Sequence, residues 1–131
     1  MAFPGPSPIP ATAPQDPNSG RCQRPWGWFE TLAHGDGYLV KRLGILAGRR
    51  ISLQRHQHRC EHWVVVGGCG ELELEGEAVA AAVGTSLFVP VGAWHRAAAG
   101  PEDLLIVEVQ RGTELREDDI ERMADDFGRA S

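Results

Sequence analysis

Two separate stretches of the chain carry the residue types of a metal site. His56, His58 and His62 crowd the first stretch, and His95 stands in the second, directly after Trp94. Neutral imidazoles are common ligands of zinc and other divalent transition metals, which they bind at roughly 2.0 to 2.1 Å. Histidines this close together are also typical of exposed or hydrogen-bonded side chains, so both interpretations stay open at this point.

Strand geometry indicates which side chains can converge. Side chains alternate along a strand, so Gln54, His56 and His58 would share one face. If that face lines the interior of a barrel, Glu61 on the adjoining strand could add a carboxylate, and a distant His95 would complete the set. His62, next to Glu61, should point away.

The elements that must position these residues are predicted to be β-strands. From Arg24 onward, short apolar runs alternate with glycine-containing turns, and no helical period appears before the C-terminus. This pattern predicts an all-β fold closed as a double-sheet barrel, which leaves few exposed edges. The predicted strands are Trp26 to Leu32, Tyr38 to Leu46, Arg50 to His56, His62 to Val66, Glu71 to Leu74, Ala78 to Ala80, Ser86 to Val89, His95 to Ala98 and Leu104 to Gln110.

The two ends of the chain predict different structures. Residues 1–20 hold six prolines and few large apolar side chains, which predicts a flexible arm before one domain at residues 21–131. Near the other end, Ile120, Met123 and Phe127 stand at helical spacing behind a run of acids. We therefore expect a short C-terminal helix that ends near Gly128.

Composition excludes several function classes. The 131 residues include 13 basic and 18 acidic side chains, a formal charge of -5, so neither nucleic acid nor an anionic membrane is an expected partner. Three cysteines without CxxC spacing argue against a disulfide framework and a zinc ribbon. With no signal peptide or apolar span in the sequence, we expect a cytoplasmic protein.

The spacing of the two stretches resembles the two motifs of the cupin superfamily. The first motif is matched by Gly48, Gln54, His56, Glu61 and Gly68, and the second by Gly84, Pro90, Gly92 and His95. The first ligand position is usually histidine in cupins and is Gln54 here. The usual asparagine of the second motif is replaced by Ala99. The resemblance implies a jelly-roll-like double-stranded β-helix with one metal ion.

A narrower resemblance covers residues from about Arg24 to Arg129. The segments RPWGWFE, SLQRHQHRCEHWVVVGG, FVPVGAWHR and EDDIERMADDFGR are similar to the isomerase domain of type II mannose-6-phosphate isomerases. In that family the cupin usually follows a mannose-1-phosphate guanylyltransferase domain, which this chain is too short to include, so we expect a stand-alone isomerase-type cupin.

The resemblance also implies site residues and ligands. It suggests Gln54, His56, Glu61 and His95 as metal ligands, with zinc the expected ion and manganese, cobalt, nickel or iron as alternatives. It further implies a small sugar phosphate as substrate and a homodimer.

The implied reaction interconverts mannose 6-phosphate and fructose 6-phosphate through an enediol. His58 or Lys41 could take the C2 proton, while Arg59 and Arg96 are candidates for binding the phosphate or the enediolate. His58 could equally be a further ligand. The alternative functions are a non-catalytic metal-binding module for sugars or sugar nucleotides and, less favoured, a cupin oxygenase.

Overall fold

The computed structural model describes residues 20–129, which form eleven β-strands and no helix. The predicted proline-rich arm, residues 1–20, lies outside the described residues except for Gly20. The strands are β1 (Arg21–Arg24), β2 (Gly27–Gly35), β3 (Tyr38–Ile45), β4 (Leu53–Arg55), β5 (Arg59–Gly67), β6 (Gly70–Leu74), β7 (Glu77–Ala81), β8 (Ser86–Val89), β9 (His95–Ala99), β10 (Leu104–Gly112) and β11 (Glu121–Ala124).

The strands form two antiparallel sheets that face each other. One has six strands in the order β1-β2-β3-β10-β5-β8, and the other has five in the order β11-β4-β9-β6-β7. Apolar side chains from both sheets, including Ile45, Trp63, Leu72 and Ile106, fill the space between them and are almost fully buried. Inward positions alternate with outward ones along each strand. The predicted all-β double-sheet barrel is therefore confirmed.

One row of paired residues in the five-stranded sheet places side chains from three strands next to one another. Gln54 on β4 pairs with His95 on β9 and, on its other side, with Arg122 on β11. Directly paired residues of antiparallel strands place their side chains on the same face. Residues from three distant parts of the sequence thus lie side by side on the inner face.

Two connections between strands require glycine: the β5–β6 connection at Gly68 and the β8–β9 connection at Gly92. Gly68 has φ 75°, and a Cβ there would lie 1.9 Å from the carbonyl oxygen of Asp103. Gly92 has φ 82° and donates its N–H to the carbonyl oxygen of His56 at 2.8 Å. Because this left-handed region is costly for other residues, both positions favour glycine. The Gly92 turn also brings the two predicted metal-binding stretches together.

The predicted C-terminal helix is wrong. Residues 121–124 instead form β11, an edge strand paired with β4, and Met123 is 57% exposed. The Asp119 carboxylate accepts hydrogen bonds from the backbone N–H groups of Gln57 and His58, both at 2.9 Å. These tertiary contacts hold the segment extended, and they outweigh the weak local preference for a helix.

No membrane-spanning helix is present among residues 20–129.

Candidate functional site

A polar cavity of about 130 Å³ lies between the two sheets. Its lining includes five basic side chains and three acidic ones: Arg24, Lys41, Arg59, Arg122 and Arg129 against Glu61, Glu108 and Glu117. A protein whose formal charge is -5 therefore concentrates positive charge around this one cavity. Such an excess favours an anionic ligand.

The cavity has two parts that differ in burial. We call the buried group of His56, Glu61, Trp63, His95 and Glu108 the floor, since each of these side chains is 5% exposed or less. His95 does not itself line the cavity but lies behind its wall, in contact with Glu61 and Trp63. We call the group of Arg24, Glu117, Arg122 and Arg129 the mouth, because these residues are exposed or half-buried.

Three floor residues bring together atoms that could hold a metal ion. His56, Glu61 and His95 each offer one ligand atom within 4.8 Å of the others, and all three are buried. His56 Nε2 lies 3.2 Å from one carboxylate oxygen of Glu61, and His95 Nε2 lies 3.5 Å from the other. Ligands about 2.1 Å from a tetrahedral ion stand roughly 3.4 Å apart, so these separations fit a single ion between the three groups.

Hydrogen bonds at the far side of each imidazole orient its Nε2 toward the centre. His56 Nδ1 donates to the carbonyl oxygen of Asp119 at 2.7 Å, and His95 Nδ1 donates to that of Ala93 at 2.9 Å. With the proton on Nδ1, each Nε2 presents its lone pair. Among residues 20–129, His95 Nε2 is one of two buried side-chain polar atoms without a hydrogen-bond partner. This is the arrangement expected of a metal ligand with its outer hydrogen bond in place.

The protonation states suit cation binding. Burial lowers the pKa of His56 to about 4, so its imidazole is neutral at pH 7. Burial opposes the charge on Glu61, but interactions with His95, His56 and Arg59 outweigh it and hold the pKa of Glu61 well below its usual range. The floor thus offers the neutral His56 imidazole and the Glu61 carboxylate beside His95 Nε2, a set of two nitrogens and one carboxylate that fits zinc and related divalent ions.

Trp63 links the Glu61 carboxylate to a second buried acid. Its indole N–H lies 3.1 Å from Glu61 and 3.0 Å from Glu108. Burial and the proximity of Glu61 raise the pKa of Glu108 to about 8. Gln110 donates to Glu108 at 2.7 Å, so every member of this polar group has a partner.

Two of the four predicted catalytic residues line the cavity. Arg59 donates from Nε to Glu61 at 2.8 Å and from Nη1 to the carbonyl oxygen of Arg116 at 3.0 Å. The buried Lys41 forms an ion pair with Glu117, and its Nζ lies 4.1 Å from the ring centroid of Phe29.

The other two predicted catalytic residues lie elsewhere. The His58 side chain is 52% exposed, stands 3.7 Å from Glu114 and does not line the cavity. The buried Arg96 donates from Nε and Nη2 to the carbonyl oxygen of Ile51, both at 3.1 Å, and is likewise absent from the cavity lining. Gln54, the remaining predicted ligand, lines the cavity beside His95, with which it pairs.

Several site residues had gone unnoticed in the sequence. Glu108 and Gln110 continue the inward positions of Leu104 and Ile106 on β10. Their alternation with Val107 and Val109 was a visible signal, because polar residues at core-facing positions of an otherwise apolar strand suggest a buried polar group. Arg122 carried no such signal, since its position depends on β11 being a strand.

The comparisons with known proteins agree with this architecture. The structure resembles that of an RmlC-like cupin from Shewanella frigidimarina, with a TM-score of 0.61, 19% identity and coverage of 70% of this chain and 78% of that one. Mannose-1-phosphate guanylyltransferase of Escherichia coli is 40% identical over 107 residues, 81% of this chain and 22% of the relative. The alginate biosynthesis protein AlgA of Pseudomonas aeruginosa is 39% identical over 115 residues, 87% of this chain and 24% of the relative.

The two facing sheets and the likeness to the solved cupin give the chain a cupin fold, with His56, Glu61 and His95 between the sheets. It belongs to the family described as mannose-6-phosphate isomerase C-terminal, whose model matches residues 15–125. The predicted family is therefore confirmed. The chain spans less than a quarter of the length of these two relatives.

Proposed function

We propose that this domain is a metal-dependent sugar-phosphate isomerase that interconverts mannose 6-phosphate and fructose 6-phosphate. The observation that carries the proposal is the convergence of His56, Glu61 and His95 at the floor of a cationic cavity, where His56 and Glu61 line the cavity and His95 contacts Glu61 from behind it. The family match supports the reaction class. The name of the AlgA relative also suggests a role in supplying hexose phosphate for polysaccharide biosynthesis.

His56, Glu61 and His95 would hold the ion, with the amide oxygen of Gln54 as the fourth proposed ligand. We propose zinc, with manganese, cobalt, nickel and iron as alternatives. A bound divalent ion would supply Lewis-acid polarisation of the sugar carbonyl oxygen.

The chain's own residues would position the substrate and move its proton. Lys41 is the predicted base that the structure brings to the cavity, and its Nζ is paired with Glu117 and lies over Phe29. We propose that Lys41 Nζ carries the proton between C1 and C2. Arg59 binds Glu61 directly, so we propose it as a positioning residue that fixes the carboxylate.

A coupled assay of zinc-reconstituted protein with fructose 6-phosphate tests the proposal. We expect His56→Ala to abolish metal binding and turnover together, because it removes one of three converging ligands. His62→Ala is the matched control for His56→Ala. It removes a nearby imidazole that lies outside the cavity lining, where the His62 ring packs against Phe88. Zinc binding without turnover in the unaltered protein would instead favour a non-catalytic metal-binding module, and metal-dependent O₂ consumption would favour an oxygenase.

A second pair of variants identifies the base. Lys41→Arg keeps the positive charge but removes a group that can release a proton, so we expect kcat to fall by at least about 100-fold. His58→Ala should leave kcat within about twofold. The reverse result would move the proton-carrying role to His58.

The homodimer is also a proposal. Val64, Val66 and Phe88 are 41%, 45% and 47% exposed on the outer face of β5 and β8. Exposed apolar side chains this close together are typical of an interface. Light scattering of the Val64→Glu variant should report a monomer if two copies associate through this face.

A further inference from the structure

The cavity mouth contains arginines that the metal centre does not use. Arg122 lines the cavity, and its Nε is the second buried polar atom without a hydrogen-bond partner among residues 20–129. Within the same range, neither Arg122 nor Arg24 forms an ion pair with a carboxylate. A buried guanidinium nitrogen without an acceptor is costly unless a ligand supplies one.

The three mouth arginines are close enough to influence one another. Burial lowers the pKa of Arg122, and the charges of Arg129 and Arg24 lower it further, while Asp125 opposes them. Asp125 holds Arg129 through contacts of 2.8 Å to Nε and 3.1 Å to Nη2. Arg24 donates to the carbonyl oxygen of Gln23 at 2.9 Å and lies over the Phe29 ring at 5.0 Å. These contacts orient two of the guanidinium groups around the third.

The paired row across the five-stranded sheet fixes the distance between the mouth and the metal centre. Arg122 on β11, Gln54 on β4 and His95 on β9 are direct neighbours in register. With adjacent strands about 4.8 Å apart, the backbones at Arg122 and His95 are separated by roughly 9.6 Å. A hexose 6-phosphate in the cavity with its carbonyl end beside His56 and Glu61, the floor residues next to His95, could therefore extend its phosphate toward Arg122.

We propose that Arg122, assisted by Arg24 and Arg129, forms the subsite for the phosphate monoester of the substrate. Planar guanidinium groups suit the oxygens of a phosphate group, because paired N–H donors can bind two oxygens at once. The inference rests on the proposed function for the identity of the sugar. It differs from the sequence-based expectation, which gave the phosphate to Arg59 or Arg96.

Calorimetric titration of zinc-reconstituted protein with mannose 6-phosphate and, separately, with inorganic phosphate tests the subsite without requiring turnover. We expect Arg122→Met to weaken mannose 6-phosphate binding by about 10- to 100-fold and to leave the bound zinc unchanged. Arg122→Lys keeps the charge but loses the paired donors, so its affinity for mannose 6-phosphate should lie between those of the unaltered protein and Arg122→Met. Arg24→Met should weaken binding by a smaller factor of about 3 to 10.

Arg55→Met is the matched control. Arg55 is adjacent to Gln54 on the same strand, but it faces outward and pairs with Glu121 at 3.0 Å. Its substitution should leave the affinity for both ligands within about twofold.

The outcomes separate this inference from the proposed function. Tight, Arg122-dependent binding of mannose 6-phosphate without turnover would keep the subsite and reject the isomerase. If the unaltered protein binds neither ligand, or if Arg122→Met and Arg24→Met both bind mannose 6-phosphate as tightly as the unaltered protein, the subsite is rejected whether or not the enzyme turns over. Should Arg122→Met fail to fold, Arg122→Lys and Arg24→Met decide the matter by the same criterion.

Discussion

The floor and the mouth of the cavity are both rich in charged side chains, but they differ in how those side chains are partnered. At the floor, Glu61 is almost fully buried and contacts Arg59, His56 and Trp63. At the mouth, Arg122 has a buried nitrogen for which the chain, over residues 20–129, provides no acceptor. A floor whose two carboxylates are hydrogen-bonded, and in which only His95 Nε2 lacks a partner, fixes the geometry of the proposed metal centre. A mouth with spare donors is suited to an exchangeable ligand.

The largest expected contrast is between Arg59, which pairs with the floor residue Glu61, and Arg122 at the mouth. Arg59→Met should destabilise the metal-free protein by about 3 to 5 kcal/mol, because it leaves the Glu61 carboxylate buried without its closest cation. Arg122→Met should change the free energy of unfolding by less than about 0.5 kcal/mol, since no hydrogen bond is lost. Urea denaturation in the presence of EDTA measures both. Equal losses for the two variants would contradict the division into floor and mouth.

The next contrast concerns the indole that joins the two buried acids. Trp63→Phe removes the only N–H that lies between Glu61 and Glu108 in the described structure, and we expect a loss of about 1 to 3 kcal/mol. Trp28→Phe is the control, because Trp28 is only half-buried and stacks against Arg21 at 3.7 Å. Thermal unfolding of both variants gives the comparison, and a Trp63→Phe protein no less stable than Trp28→Phe would show that the bridge contributes little.

A smaller effect is expected where the C-terminal segment supports the floor. The Asp119 side chain binds the N–H groups of Gln57 and His58, and its carbonyl oxygen accepts from His56. Asp119→Ala keeps the carbonyl group but loses the side-chain contacts that hold this segment in place, so the carbonyl oxygen should no longer orient the His56 ring. We expect zinc binding to weaken about tenfold, as measured by competition with a chromophoric chelator. Asp118→Ala, which removes only an exposed contact with Arg116, should leave zinc affinity unchanged. Identical zinc affinities for the two variants would show that Asp119 does not support the proposed metal centre.

The smallest expected effect lies at the mouth and depends on pH. The Arg129 guanidinium lowers the pKa of Asp125 from 3.8 to about 2. A folded-state pKa below the unfolded value stabilises the protein above that value, and this contribution is lost as the pH falls from about 4 to 2. We expect Asp125→Asn to lose about 1 kcal/mol or less at pH 6, with the difference from the unaltered protein vanishing near pH 2. Urea unfolding at several pH values checks this, and a difference independent of pH would reject the assignment.

The sequence was sufficient for the barrel and for the two segments that meet at the floor. Alternation along strands predicts that Gln54 and His56 point inward, and the glycines at the turns indicate where the strands end. These features are local, so a short stretch of sequence contains them. The convergence of His56, Glu61 and His95 follows from the resemblance to the two cupin motifs. The assignment of these residues as metal ligands stays a prediction.

The remainder of the site depends on contacts between distant residues. The segment from Glu117 to Phe127 has helical periodicity, but its backbone pairs with β4 because Asp119 is anchored to Gln57 and His58. Neither the anchor nor the pairing is visible in the local pattern. The inward position of Arg122 follows from that pairing, and so does the proposed subsite.

Lys41 is the only lysine in the sequence, and it is 4% exposed within the cavity. Amine-directed reagents therefore have a single internal target, besides the amino terminus, and it lies beside the proposed reaction centre. The extent of acylation at this residue, followed by intact-mass measurement, would serve as a footprint of ligand occupancy. Any molecule that fills the cavity should slow the labelling, even a molecule that the protein does not convert.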